Sequence, residues 1–154
     1  MSHGASTPYA RPMTAPVRVR VVHQFASDPT TVFEALAEHE NLSRVFFPCK
    51  VTRKSDGATE RNGVGSARWM QIGPLPKFVE TTTNVVRGEL IEYEITEGIV
   101  PLFGHWGRQV LTPTADGGTE LAYTIGFNSL PGLAQVVGFA LTDAIKRGMP
   151  KLVP

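Results

Sequence analysis

Two charged residues, Arg68 and Glu80, are the most informative candidates for chemistry in this sequence of 154 residues. Both lie in stretches with strand character, residues 63–72 (GVGSARWMQI) and 78–87 (FVETTTNVVR). If the two strands are neighbours and both side chains point inward, the pair forms a charge-assisted hydrogen bond beside the core. A solvated ion pair on the outer surface fits the sequence equally well, because the sequence does not determine which face of each strand is buried.

Tyrosine, histidine and arginine side chains in later strands are further candidates. Tyr93 and Tyr123 alternate with apolar residues, which favours burial, and a buried tyrosine hydroxyl usually has a hydrogen-bond partner in the protein or in a ligand. His105 and Arg108 follow an apolar loop, residues 98–104 (GIVPLFG), that would be unusual if fully exposed. These two residues either line the mouth of a cavity or simply belong to the start of a strand.

Common catalytic and metal-binding motifs are missing from the sequence. It contains no G-x-S-x-G, H-E-x-x-H, C-x-x-C or P-loop pattern. The four histidines lack the spacing of metal ligands, so neither a metal site nor a cofactor is expected. Cys49 is the single cysteine, which excludes an intrachain disulfide, and we expect a buried, unreactive thiol. No residue can be assigned as catalytic from these patterns alone.

The composition limits the partners of the protein. The net charge is +1 and only 19% of the residues are charged, so there is no electrostatic argument for binding nucleic acid or an anionic membrane. No apolar run approaches the roughly 20 residues of a membrane span, and no signal peptide is visible at the N-terminus. We therefore expect a cytoplasmic protein that is not an integral membrane protein. A homodimer is left open.

The element that must organise these residues is a long helix at residues 131–149. Apolar residues recur there at helical spacing, and they form one stripe that consists of Leu133, Val136, Val137, Ala140, Leu141, Ala144 and Ile145. A helix of this length is roughly 27 Å long and needs a large surface to pack against. We expect Leu141 and Ile145 to be buried.

Almost everything before this helix has strand character. The expected strands are 17–25, 50–55, 63–72, 78–87, 89–97, 105–112 and 119–128, with Asp56-Gly57 as a hairpin signal. Two short helices follow the first strand, one opened by Ser27-Asp28-Pro29 with Asp28 or Ser27 as its N-cap, and one within 41–47. The pattern predicts an α+β fold in which one curved antiparallel sheet of about seven strands surrounds the C-terminal helix. Residues 1–16 are predicted to be a flexible arm, and residues 17–154 a single domain.

This order of elements resembles the START-like, helix-grip superfamily and, within it, the polyketide cyclase/dehydrase-like family. The resemblance rests on Ser27-Asp28-Pro29 and its helix, on residues 41–48, on Gly63-Val64-Gly65-Ser66-Ala67-Arg68, on Glu80 at the start of its strand, on residues 90–95, on Leu111-Thr112-Pro113 before Asp116-Gly117-Gly118-Thr119, and on the closing helix. It covers nearly the whole chain after Ala15. The resemblance implies a seven-stranded sheet that grips the last helix, with a cavity between them for an apolar or amphipathic small molecule.

Two functions are compatible with such a cavity. The favoured one is binding or carriage of a hydrophobic small molecule, such as a lipid, a polyketide or an aromatic metabolite. The alternative is a polyketide aromatase/cyclase, in which Glu80 or His105 acts as the base. The donors for a developing enolate would then be Arg68, Arg108, Tyr93 or Tyr123. The predicted ligand-binding residues are Arg68, Met70, Glu80, Tyr93, His105, Arg108, Tyr123, Phe127, Val137 and Leu141. Convergence of two or more titratable groups within about 5 Å would favour catalysis, and a purely apolar lining would favour carriage.

Overall fold

A seven-stranded antiparallel sheet with the strand order β1-β7-β6-β5-β4-β3-β2 dominates the computed structural model, which describes residues 13–153. The strands are β1 (Val17–Phe25), β2 (Lys50–Ser55), β3 (Ala67–Gln71), β4 (Phe78–Val86), β5 (Leu90–Glu97), β6 (Phe103–Pro113) and β7 (Thr119–Asn128). The helices are α1 (Pro29–Ala37), α2 (Leu42–Val45) and α3 (Leu133–Gly148), with short 3-10 turns at His39–Asn41 and Met149–Lys151. The predicted helix-grip α+β fold is confirmed.

The first helix begins where the sequence predicts. Asp28 is the N-cap, and its Oδ1 accepts a hydrogen bond of 2.9 Å from the backbone N–H of Thr31. Pro29 occupies the first turn, where a missing N–H costs little. The buried side of this helix consists of Val32, Phe33, Leu36 and Ala37. Together with the next 3-10 turn and α2, α1 forms a short helical segment between β1 and β2.

β2 and β3 pair antiparallel, as the hairpin signal at Asp56-Gly57 predicts, and a long loop connects them. Gly57 does not adopt the positive φ that a two-residue hairpin turn requires. The chain instead makes a longer loop, residues 56–66, before β3 begins. The guanidinium of Arg53 holds this loop because it binds Asn62 Oδ1 and the carbonyl oxygen of Arg61, while it also contacts Glu40. The hairpin prediction is confirmed for the antiparallel pairing of β2 and β3, and the loop between them is longer than a two-residue turn.

The long helix is rotated relative to the predicted stripe. Its buried residues are Ala134, Gly138, Ile145 and Gly148. By contrast, Val136 is 65% exposed and Ala140 is exposed. A Cβ added to Gly138 would lie 3.1 Å from the carbonyl oxygen of Arg18 on β1, so the helix approaches the sheet through a residue without a side chain. The predicted stripe was therefore only partly right, because the close contact selects small residues rather than large apolar ones.

The main core lies between the sheet and the helices α1 and α3, and Ile145 is 2% exposed within it. Leu141 packs on the edge of this core and is only partly buried, so the expectation of burial held fully for Ile145 alone. We predict that Ile145→Ala costs about 2–5 kcal/mol of unfolding free energy, whereas Leu141→Ala costs less because its site can relax. Urea denaturation at neutral pH measures both values. A larger loss for Leu141→Ala would contradict this packing.

Two hydrogen bonds to β6 and β7 hold the residues just before β1 against the sheet. Trp106 Nε1 donates a hydrogen bond of 3.1 Å to the carbonyl oxygen of Ala15, and the N–H of Phe127 donates to the carbonyl oxygen of Pro16. Residues 1–12 of the predicted arm lie outside the described residues. No helix within residues 13–153 is long and apolar enough to cross a membrane.

Candidate functional site

Arg68 and Glu80 face each other on the neighbouring strands β3 and β4. The Nε and Nη2 atoms of Arg68 lie 3.0 Å and 2.8 Å from the same carboxylate oxygen, Glu80 Oε1. The two side chains are only 7% and 9% exposed, so the pair is buried rather than solvated. Burial is the largest influence and acts to lower the pKa of Arg68, but the charge of Glu80, two tyrosines and the hydrogen bond to Glu80 together outweigh it, so the pKa is raised. Arg68 is therefore a permanent buried cation.

His105 approaches the second oxygen of the same carboxylate from β6. Its Nε2 lies 4.0 Å from Glu80 Oε2, and its Nδ1 accepts a hydrogen bond of 3.2 Å from the backbone N–H of Ile95. Burial lowers the pKa of His105, while Glu80 acts in the opposite direction, so the ring is neutral at pH 7. Because Nδ1 accepts a hydrogen bond, the single proton of the neutral ring is on Nε2, facing the carboxylate.

Two tyrosines complete the group. The hydroxyl oxygens of Tyr93 and Tyr123 are 2.5 Å apart, and the guanidinium carbon of Arg68 lies 4.8 Å from the centroid of the Tyr93 ring. Burial raises the pKa of Tyr93 well above its usual value and that of Tyr123 to about 12. Both phenols therefore keep their protons at neutral pH. We call Arg68, Glu80, Tyr93, His105 and Tyr123 the polar cluster.

The other predicted ligand-binding residues lie outside the polar cluster. Arg108 is exposed and, by strand alternation from the buried His105, lies on the opposite face of the sheet. His105 and Arg108 therefore lie on opposite faces of the sheet and do not form the predicted cavity mouth together. Met70 belongs to a second apolar cluster with Leu42, Val51 and Phe78. The remaining three, Phe127, Val137 and Leu141, pack in or against the main core.

A groove opens beside the polar cluster because β5 and β6 separate. Their pairing ends at Tyr93 opposite Gly107, although β5 continues to Glu97 and β6 begins at Phe103. The groove has a volume of about 540 Å³, and its walls are residues 95–100 and 102–104, which include most of the apolar loop noted in the sequence. His105 is linked to the groove wall through the hydrogen bond from the backbone N–H of Ile95, but no residue of the polar cluster or of α3 lines the groove, so it is distinct from the cavity predicted between sheet and helix.

Sequence reasoning missed a second buried polar group next to the first. His39 is 1% exposed, and its Nε2 lies 3.5 Å from Ser66 Oγ, which donates a 3.1 Å hydrogen bond to Thr82 Oγ1. His39 Nδ1 has no hydrogen-bond partner among the described residues. Burial, and then the positive charges of Arg68 and Arg53, lower the pKa of His39 to about 3. No sequence signal marks this histidine, because it lies in a 3-10 turn without periodicity.

Thiol and metal chemistry have little support in the described region. Burial, followed by the charge of Glu80, raises the pKa of Cys49 to about 11, so the thiol stays protonated at neutral pH. Among residues 13–153, no group of three or more His, Cys, Asp or Glu side chains is arranged to hold a metal ion. The chemistry that this geometry offers is proton transfer and hydrogen bonding.

The seven-stranded sheet, the short helices and the long terminal helix define a helix-grip protein with a buried polar cluster. The sequence model for the family described as polyketide cyclase/dehydrase and lipid transport matches residues 16–154, and the chain belongs to this family. No curated protein matches the sequence.

Solved structures share this fold at low sequence identity. The Zhui aromatase/cyclase from Streptomyces sp. R1128 aligns with a TM-score of 0.69 at 16% identity, covering 88% of this chain and 89% of that one. A Thalictrum flavum norcoclaurine synthase point mutant, solved with a transition-state analogue, aligns with a TM-score of 0.68 at 13% identity, covering 91% and 94%. Ara h 8.0201 aligns with a TM-score of 0.61 at 16% identity, covering 86% and 95%. At these identities the likeness concerns the fold alone.

Proposed function

We propose that the protein binds an apolar small molecule with an enolisable carbonyl group and catalyses proton transfer on it, as cyclisation of a polyketide requires. The observation that carries this proposal is the convergence of five buried polar side chains, three of them ionisable as acid or base near neutral pH or permanently charged, at one place in the sheet. The family and the aromatase/cyclase with the same fold support the choice of substrate class. The ligand would enter through the groove between β5 and β6.

The arrangement of protons suggests the role of each group. Glu80 is the better candidate for the base, because the neutral ring of His105 holds its proton on the nitrogen that faces the carboxylate. Glu80 Oε2 would take the α-proton, and the electron pair of the broken C–H bond would move to the carbonyl oxygen. The resulting enolate would be held by the Arg68 guanidinium and by Nε2–H of His105. Tyr93, which keeps its proton, adds a further donor.

Carriage without catalysis is the second candidate, and one observation favours it. Arg68 and Glu80 neutralise each other, and the two tyrosine hydroxyls bond to each other, so the cluster is internally satisfied. In a carrier, such a cluster would only orient the polar end of a hydrophobic ligand. The two functions differ in whether the bound ligand exchanges its α-protons.

Deuterium exchange separates the two candidates. We predict that 1-tetralone, an aromatic ketone with slow spontaneous exchange, loses its α-proton NMR signal in D₂O faster with the protein than without it. Glu80→Gln should reduce the protein-dependent rate by about 100-fold or more, since general-base catalysis typically contributes this much. The binding of an apolar fluorescent probe, at one per chain, should persist in this variant.

Glu92→Gln is the matched control, because Glu92 is also a buried carboxylate, is hydrogen-bonded to Asn84, and lies on the opposite face of β5 from Tyr93. It should leave the exchange rate unchanged. Equal rates in wild type and Glu80→Gln would contradict the role of Glu80. Binding of the probe without any exchange would favour carriage, and absence of both would remove the small-molecule function altogether.

A further inference from the structure

Gly107 lies directly beneath the phenol ring of Tyr93. The two residues are cross-strand partners on β6 and β5, at the last pair before these strands separate. A Cβ added to Gly107 would lie 2.2 Å from Cζ and 2.4 Å from Cε1 of Tyr93. Such distances are far below van der Waals contact, so any side chain at this position would force the ring to move.

The backbone of Gly107 does not explain why glycine occupies this position. Its φ is outside the positive range, so other residues could adopt the same conformation. A glycine inside a strand also weakens the strand, because it adds no packing and costs more conformational entropy. Because glycine has no side chain, it leaves room for the Tyr93 ring at this position.

Displacement of the Tyr93 ring would disturb three contacts at once. Its hydroxyl bonds to Tyr123, its ring lies beneath the Arg68 guanidinium, and its centroid is 5.7 Å from that of His105. The depth of this ring therefore determines where the donors of the polar cluster lie.

We propose that Gly107 is a positioning residue that sets the depth of the Tyr93 ring and, through it, the placement of the Tyr123 hydroxyl and the Arg68 guanidinium. Its effect on turnover rests on the function proposed above. Its effect on the tyrosines does not, because that effect follows from steric contact alone.

The chain supplies a matched control for this proposal. Gly126 supports the indole of Trp106 in the same way, since a Cβ there would lie 2.3 Å from Trp106 Cε2. The two glycines lie on the neighbouring strands β6 and β7, but Trp106, by strand alternation, lies on the opposite face of β6 from His105 and contacts Ala15. Gly107→Ala and Gly126→Ala therefore create equally severe clashes with different rings.

The test is tyrosine ionisation, followed by ultraviolet absorbance after a stopped-flow jump to high pH. A Tyr9→Phe background leaves only Tyr93 and Tyr123 of the three tyrosines in the chain. Gly107→Ala should lower the apparent tyrosine pKa by about one unit or more, because a displaced phenol loses burial and its partner. Gly126→Ala should instead change the fluorescence of Trp106 and leave tyrosine ionisation unchanged. Unchanged ionisation in folded Gly107→Ala would overturn the proposal.

A second measurement covers the case in which Gly107→Ala is too unstable to titrate. In a Tyr93→Leu background, which removes the clashing ring atoms, the same substitution should shift the urea midpoint far less than in the wild-type background. Equal shifts in both backgrounds would also overturn the proposal. If Gly107→Ala changes tyrosine ionisation while wild type shows no deuterium exchange, the positioning role stands and the catalytic function fails.

Discussion

Arg68→Met should destabilise the protein by about 3–5 kcal/mol, because it leaves the Glu80 carboxylate buried without its counter-charge. Both side chains are less than a tenth exposed, so water cannot replace the lost guanidinium. The double variant Arg68→Met with Glu80→Leu should recover most of this loss, since replacing a whole buried ion pair by apolar residues is often close to neutral. Equilibrium unfolding in urea at pH 7 measures both variants.

The exposed ion pair between Arg147 and Asp143 on α3 is the control for this experiment. Its nitrogen–oxygen distance of 2.9 Å resembles that of the buried pair, but its side chains are 64% and 53% exposed. Arg147→Met should therefore cost no more than about 1 kcal/mol. If Arg68→Met costs as little as Arg147→Met, or if the double variant is no more stable than the single one, the ion pair is not isolated from water. The polar cluster would then lose the low-dielectric environment on which its proposed chemistry depends.

Acid should destabilise the protein through His39 well above the pH at which carboxylates titrate. The pKa of His39 is lowered by burial to about 3, whereas in the unfolded chain it lies near 6.5. As the pH falls below 6.5, the unfolded state takes up a proton that the folded state cannot accept. The stability is therefore complete above about pH 6.5 and is lost progressively towards pH 3, by as much as ~5 kcal/mol in total.

His39→Gln should reduce the slope of unfolding free energy against pH between 6.5 and 5 by about 1 kcal/mol per pH unit. His105 and His23 also have pKa values lowered by burial, so part of the slope remains in the variant. Asp and Glu titrate mostly below this window in an unfolded chain, near pH 4. Identical slopes in wild type and His39→Gln would show that His39 becomes protonated within the folded protein.

Local patterns in the sequence were sufficient for the fold class and for the positions of the elements. β1 and β2 match their predicted boundaries, because alternation of polar and apolar residues and flanking turn residues act over a few positions. The cap at Asp28 is equally local. The resemblance to a known family added the helix-grip arrangement of these elements, and the family match over residues 16–154 confirms the family. The candidate residues of the polar cluster were also recognisable, because charged and hydroxyl side chains stood among apolar neighbours.

Only the tertiary structure decided which of these residues meet. The pairing of strands that are distant in sequence brings Arg68, Glu80 and His105 together. The alternation of side chains along β6 places Arg108 on the other face of the sheet. The rotation of α3 depends on the space beside Arg18 on β1, which favours Gly138 over the larger apolar residues of the predicted stripe. Long-range packing sets these features, and a residue's own neighbours in sequence carry no information about the side chains it will contact across the sheet.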